Sequence, residues 1–432
     1  MSHEPTVRLS ARQRYEWRGL VEHPNVPARQ IATTYEVRGT LDVKRLAEAL
    51  RVVLAHHDQL RLRLIGSAHA PIATRRPAPD VVTMPVIDLD GLDESTCDRL
   101  VDLYQEREAA TLLDLGTDWP LRMMLLRLSP HRHLLLLTAH HLVADGWSVG
   151  LIARHLCAAY HGDTLAQAPS MPSYDDFVVA EQARLASPTH RTQLGWWVQQ
   201  LRDLPSVPRL GSIEGVRTYD AIDWRYEVPA EDCAALRRVA RTCGASTFAV
   251  AVAALAASLG RRTGVWRWPM WVPYAGPRLP DFAQVVGLFA NRLPLIVRID
   301  PKTSFLDAVR ATRASLLDLI DHAELGYFEL VAAVPALAAV QLTVQHMPAV
   351  TFDTTDPRFS FRRYRIAASP LDLVLSLNEM PDGTMWWDGE HRTDVIRPVE
   401  AKGLLDDLLA DTHAFVCAPD VNVQVTAQRL PT

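Results

Sequence analysis

Four consecutive leucines, Leu134 to Leu137, sit inside a strand-like run from His133 to Thr138 that offers no continuous polar face to water. Alternate side chains leave a strand in opposite directions, so a run of this kind can be buried on both faces and calls for a covering layer on each side. A second strand-like run, Arg122 to Leu128, precedes it across a turn-like Ser129-Pro130 segment. After Gly146 the pattern becomes helical, from Val149 to Tyr160. Between strand and helix stands the densest cluster of reactive side chains in the chain, His140-His141-Leu142-Val143-Ala144-Asp145-Gly146. A buried strand is a rigid support for whatever emerges at its end, which is what a catalytic side chain requires.

Neighbouring side chains on a strand point to opposite faces. His140 and His141 therefore cannot both address one centre while the extended geometry lasts, and one of the pair should be structural. The same opposition argues against a metal held by His140, His141 and Asp145, as do the missing cysteine partner and third ligand at a recognisable spacing. An overlapping G-x-S-x-G, Gly146-Trp147-Ser148-Val149-Gly150, has the form of a hydrolase nucleophile elbow and opens a helix as that motif does. In an elbow the strand runs straight into the first glycine, whereas here Leu142 to Asp145 intervene and no HGGG-like sequence precedes them. Ser148 is expected instead to be the N-cap of the following helix.

The rest of the chain is mixed α and β. Val43, Leu46, Leu50, Val53 and Leu54 recur at helical spacing behind Asp42, a candidate N-cap, with Leu41 able to staple onto Leu46. Strand-like runs lie at Gln30 to Arg38 and Leu60 to Ile65, with a helical stretch from about Glu94 to Leu113. Pro169 and Pro172 punctuate a link that divides the chain into residues 1–172 and 173–432. The second part is helical from about Tyr174 to Leu201 and from Ala234 to Leu259, with strands at Ala221 to Val228, Val265 to Val272 and Leu293 to Ile299. A helix from Phe305 to Leu319, strands near 340–346 and 371–377, and a closing helix near 394–415 complete it. At 432 residues and 48% hydrophobic content a single small core is excluded, and two or three domains or one two-lobed unit are expected. A net charge of −5 without a long basic run argues against a grip on nucleic acid. The most apolar stretches, near 248–259 and 330–344, fall short of the roughly 18 residues of a membrane span. The five cysteines form no C-x-x-C pair, so a cytoplasmic protein without a membrane partner is expected.

The His140, His141, Asp145 and Gly146 pattern resembles the HHxxxDG signature of the condensation domains of nonribosomal peptide synthetases. Leu9-Ser10-Ala11-Arg12-Gln13 is similar to that family's opening segment, His56-His57-Asp58-Gln59-Leu60-Arg61 to its H-x-x-LR helix end, and Asp114-Leu115 to Pro120-Leu121 to its second motif. Gly287 to Leu295 resembles the GxFxNxLPLR segment and Leu371-Asp372-Leu373 a later DL element, so the likeness runs through essentially the whole chain. The resemblance implies an α/β (α+β, mixed-sheet) fold of two chloramphenicol-acetyltransferase-like lobes in a V-shaped pseudodimer, with the active-site tunnel between them. Residues 1–172 would be the lobe carrying the HHxxxDG loop, and 173–432 the lobe with bridging latch and floor elements.

It also implies roles. His141 is the catalytic histidine, as general base or as a positioning group, with His140 and Asp145 structural and Gly146 either aiming its amide at a developing oxyanion or serving as a turn glycine. Arg278 is similar to the arginine that pairs with the loop aspartate, and a buried carboxylate calls for such a cation. Trp147, Ser148, Asn291 and His346 are placed along the tunnel, with a satisfied strand histidine as the plainer reading of His346. No cofactor belongs to this chain. A phosphopantetheine thioester on an acyl or peptidyl carrier protein is the donor, and an amine, free or on a second carrier, is the acceptor of the new amide. With no room for an adenylation domain on either side, a free-standing enzyme or a domain excised from a larger synthetase is expected, as a monomer, and Arg8, Arg12, Arg14 and Arg18 are a candidate patch for an acidic carrier. His322 to Glu329 departs from the family's HxDxPFE, Val344-Gln345-His346 from its LQN-like strand, and Pro277 interrupts the run into Arg278, all of which bear on substrate choice. Ester formation, epimerisation and non-catalytic recruitment share the scaffold, but recruitment domains usually lose the second histidine, which is present here as His141.

Overall fold

The leucine run becomes the central strand, Arg132–His140, of a five-stranded sheet in the computed structural model, which describes residues 4–22, 24, 29–165, 172–204, 207, 209–215, 218–274, 282–348, 352, 356–380 and 382–424. The strand order is Arg358–Arg365, Gln30–Arg38, Arg132–His140, Leu121–Ser129, Val86–Asp88, antiparallel throughout except for the parallel last pair. Leu135, Leu137 and Ala139 pack with Leu46, Leu50 and Val53 of the helix Val43–His56 and with Val149, Ile152 and Leu156 of the helix Gly146–His161. On the opposite face Leu134 and Leu136 pack with Leu126 and with Val101 of the helix Glu94–Ala110. Each fully buried leucine contributes about 1.5–3 kcal/mol, so the doubly covered strand is the firmest platform available to the residues at its end.

Local signals decide where the flanking helices begin. Asp42 caps Val43–His56, its carboxylate accepting the N–H groups of Lys44 and Arg45 at 2.8 and 3.2 Å, and Leu46 is completely buried behind it. The two-stranded ladder Leu62–Gly66 and Pro71–Arg75 completes the sheets of this part of the molecule.

The chain divides into two units, each with mixed α and β structure, as the fold-class expectation required. The first comprises Met1–Ser187, Ala275–Ala290 and Val350–Ala368, and the second Pro188–Tyr274, Asn291–Ala349 and Ser369–Thr432. The expected single cut at 172/173 therefore differs from the observed division: the first unit runs on to Ser187 and recruits two later segments. One of these supplies the strand Arg358–Arg365, which pairs with Gln30–Arg38 at the edge of the five-stranded sheet.

The second unit holds a six-stranded sheet in the order Ala221–Val228, Met385–Arg392, Leu373–Glu379, Leu342–Pro348, Arg267–Tyr274, Asn291–Arg298. Leu342–Pro348 is parallel to both neighbours and the other pairs are antiparallel. Helix Thr247–Thr263 is buried on every side from Ala249 to Gly260 and packs with Ala230–Cys243, Phe305–Asp321 and Pro398–Cys417. Its apolar run belongs to a core helix. No single helix among the described residues is long and apolar enough to cross a membrane. The strand Met385–Arg392 is built around two concessions. Gly389 leaves room for the Trp224 ring, which a Cβ would strike, and the fully buried Arg392 pairs with Asp394 at 2.5 Å and Asp372 at 3.5 Å. Asp372 of the Leu371-Asp372-Leu373 element is thus held against a buried cation.

Candidate active site

The central strand ends at His140, and the next residues turn. His140 donates its backbone N–H to the Pro120 carbonyl at 2.9 Å, and its ring Nδ1 accepts the N–H of Leu142 at 3.0 Å. The ring is buried and committed to the turn, and burial, reinforced by His141 and Arg29, lowers its pKa to about 3. His141 donates its own backbone N–H to the Arg29 carbonyl at 2.7 Å, while its ring Nδ1 is buried and has no hydrogen-bond partner among the described residues. Burial lowers the pKa of this ring as well, with Glu16 opposing and Arg12 reinforcing the shift, so the imidazole is neutral at physiological pH. Arg12 and Glu16 form an ion pair at 3.3 Å one helical turn apart.

The turn is braced from the opening segment. Gln13 donates from its carboxamide to the Leu142 carbonyl at 3.0 Å and to Gln59 Oε1 at 2.8 Å, while its own oxygen accepts the Ser10 N–H at 3.1 Å. One side chain therefore ties the opening segment and the Gln59 segment to the loop.

Asp145 caps the helix Gly146–His161. Its Oδ1 accepts the Ser148 N–H at 2.8 Å, and its Oδ2 accepts the N–H groups of Phe289 and Ala290 at 3.1 and 2.9 Å. The carboxylate therefore holds three backbone N–H donors, each a charge-assisted hydrogen bond. Arg278, assigned that cationic role, lies outside the described residues. Gly146 is the first helical residue, so its N–H has no intrahelical acceptor and lies at the positive end of the helix.

At Ser148 the structure corrects the expected helix start. The N-cap is Asp145, and Ser148 stands in the first turn, wholly buried, where its hydroxyl donates to the Gly287 carbonyl at 2.8 Å and accepts the Gly287 N–H at 3.1 Å. A completely buried hydroxyl used in both directions is a strap between the helix start and Gly287. Trp147 is 43% exposed, with its indole N–H donated to the Ala283 carbonyl at 3.1 Å and its ring beneath the Arg154 guanidinium. Gly287 is a glycine because of Tyr174: a Cβ there would sit 2.1 Å from that ring. The Tyr174 hydroxyl donates to the Leu288 carbonyl at 2.9 Å and lies 3.2 Å from the Ser10 hydroxyl.

Asn291 and His346 belong to the second unit. The Asn291 side chain accepts the N–H groups of Arg292 and Tyr327, both at 2.9 Å, and donates to the Leu325 carbonyl, so it fastens the start of a strand to the start of the helix Tyr327–Ala333. His346 lies on Leu342–Pro348 with its ring 6.0 Å from that of Phe248, and partial burial lowers its pKa. Of the four arginines in the candidate carrier patch, Arg12 pairs with Glu16 and Arg18 with Glu22, which halves the patch's charge. The residues overlooked as site elements are Gln13, Gln59, Gly287 and Tyr174. The first three stand inside segments quoted for the resemblance, while Tyr174 reads only as a helix start.

The doubly covered mixed sheet thus delivers a histidine pair and a capped helix to one loop. The family model for the condensation domain matches residues 5–385, and the chain belongs to the condensation-domain family. The phosphinothricin tripeptide synthetase PhsC of Streptomyces viridochromogenes is 28% identical over 421 residues, covering 91% of this chain and 38% of its own length. The isonitrile lipopeptide synthase of Mycobacterium tuberculosis is 28% identical over 456 residues, covering 96% of this chain and 18% of its own. The chain thus spans well under half the length of these relatives. Among solved structures, the first condensation domain of the calcium-dependent antibiotic synthetase superposes with a TM-score of 0.87 at 24% identity, over 98% of both chains. The X-domain from teicoplanin biosynthesis superposes with a TM-score of 0.82 at 21% identity, over 99% of this chain and 98% of that one. Both structural likenesses speak for the fold.

Proposed function

We propose that this chain forms amide bonds by transferring an acyl or aminoacyl group from a carrier-protein phosphopantetheine thioester to an amine. The reading rests on the His141 ring, a neutral imidazole with an uncommitted nitrogen, presented by a loop whose other polar groups hold the loop itself. In the proposed reaction the amine attacks the thioester carbonyl while His141 takes up its proton, and the Gly146 N–H stabilises the oxyanion from the helix N-terminus. Collapse of the tetrahedral intermediate breaks the carbon–sulfur bond, and the departing thiolate recovers the proton from the imidazolium. Relatives whose names describe peptide and lipopeptide synthases support the substrate class.

The test is intact-protein mass spectrometry of acyl-loaded carrier proteins incubated with this chain and pools of amines or alcohols. Amine-dependent loss of the acyl mass is expected, and His141→Ala, folded by circular dichroism, should slow it by about a hundred- to ten-thousand-fold. An unchanged rate would remove His141 from the mechanism. Loss of the acyl mass only with alcohols would make the product an ester, and inverted stereochemistry without an acceptor would make the reaction an epimerisation. No turnover with any acceptor would leave a recruitment role.

A further inference from the structure

Apart from the loop, three histidines of the first unit meet at one place. His56 is the last residue of the helix Val43–His56, and His57 is its cap with φ −100° and ψ 106°, so the chain leaves helical geometry between them and two adjacent rings reach the same spot. His155 comes from the helix Gly146–His161, which packs along the first. His57 Nε2 and His155 Nδ1 are 2.9 Å apart, with ring centres 5.0 Å apart and planes within 8°. The His56 ring stands edge-on to both, at 4.6 and 5.5 Å between centres. One ring nitrogen from each of the three lies within 4.8 Å of the other two.

We propose that His56, His57 and His155 form a three-histidine site for a divalent transition metal of the zinc class. Three imidazoles with one position left for water are a donor set such ions accept. Burial keeps all three rings in the neutral form that ligates a metal, with His155 lowered to about 4. Zinc–nitrogen distances of about 2.0–2.1 Å in a tetrahedral site place ligand nitrogens about 3.3 Å apart, so the close His57–His155 pair opens by about 0.4 Å and the rings tilt from parallel. The hydrogen bond between them is given up, and each ring keeps its single proton on its other nitrogen. Gln284 hydrogen-bonds to His155 and is placed to hold that ring in position. Asp58 pairs with Arg61 and Arg75, so its charge is committed outside the donor set. A bound ion would clamp the two helices together, and the second of them begins with the active-site loop. The site's role is to stiffen that loop's support, apart from the chemistry at His141.

The test uses protein free of any histidine tag, titrated calorimetrically with Zn²⁺ and followed spectroscopically with Co²⁺, whose visible absorption reports four-coordinate nitrogen ligation. One equivalent should bind, and Zn²⁺ at about a hundred times its Kd should raise Tm by about 5 °C. His56→Ala and His155→Ala should each weaken binding by about 100-fold or more and erase the Tm rise. His413→Ala should change neither, because it alters the separate Asp232, His413 and Cys417 cluster. If His155→Ala does not fold, His56→Ala at the half-buried ring carries the test. Absence of stoichiometric binding, or binding that survives in the histidine variants and is lost in His413→Ala, overturns the proposal.

Discussion

The Asp145 carboxylate accepts the backbone N–H of Ala290 at 2.9 Å, fastening the loop that presents His141 to a segment 145 residues further along the chain. The same oxygen holds Phe289 and the other oxygen holds Ser148, so one side chain joins the helix start to the Gly287–Ala290 turn. Asp145→Ala leaves three N–H groups without this acceptor and should cost about 3–5 kcal/mol in denaturant unfolding. Asp145→Asn, which retains one carbonyl oxygen, should cost measurably less.

Gly287 and Tyr174 form a steric pair. Gly287→Ala should destabilise by about 1–3 kcal/mol, since the added methyl meets the ring of a residue locked by its own hydrogen bond. In a double-mutant cycle with Tyr174→Ala that cost should shrink, whereas simple additivity would show that the close approach is not what demands glycine.

Ser148→Ala separates strap from nucleophile. Loss of both contacts to Gly287 should lower stability by about 1–3 kcal/mol while acyl transfer persists. No acyl adduct on the chain should appear by mass spectrometry in the wild-type protein, and an adduct abolished by Ser148→Ala would revive the hydrolase reading.

The stability of the fold should depend on pH in two opposing ways. His140, at about 3 when folded and near 6.5 when unfolded, binds its proton more readily in the unfolded chain, so stability falls as pH drops below about 6.5. The slope approaches about 1.4 kcal/mol per pH unit within that window. Glu390 acts oppositely: burial raises its pKa from 4.5 to about 7, the folded carboxyl keeps its proton, and stability falls as pH rises from about 4.5 to 7. His140→Asn, whose Oδ1 can still accept the Leu142 N–H, should flatten the acid side of a curve of unfolding midpoint against pH and leave the Glu390 contribution in place.

Turnover should follow the His141 ring. Its lowered pKa puts the acid limb of kcat/KM below about 6.5, with a plateau at neutral pH. Glu16 opposes that lowering, so Glu16→Gln should move the limb to still lower pH. A limb that stays in place under this substitution would mean that another group controls it.

Much of this architecture can be read along the chain. The helix behind Asp42, the strand Gln30–Arg38 and the buried leucine strand follow from capping and periodicity, which act over a few residues. The strand Met385–Arg392 escapes such reading because its inward positions include Gly389 and His391, chosen for Trp224 and for sheet pairing rather than for apolar alternation. The strand Arg358–Arg365 escapes for a similar reason: four arginines fall within its eight residues, and its place at the edge of the first sheet is set by pairing with Gln30–Arg38. In the loop, the N-cap expected at Ser148 belongs to Asp145 because the helix starts at Gly146, three residues earlier than the apolar pattern from Val149 implies.

By itself the sequence determined most of the elements, the doubly buried strand and the loop of His140, His141, Asp145 and Gly146, since all of these depend on residues close together in the chain. Only the tertiary structure decided what satisfies the buried polar groups: Gln13 bracing Leu142, Ala290 and Phe289 holding Asp145, and Gly287 closing on Ser148. Those partners lie more than a hundred residues away, and backbone N–H and C=O groups, present at every position, leave no mark in the residue pattern by which they could be chosen.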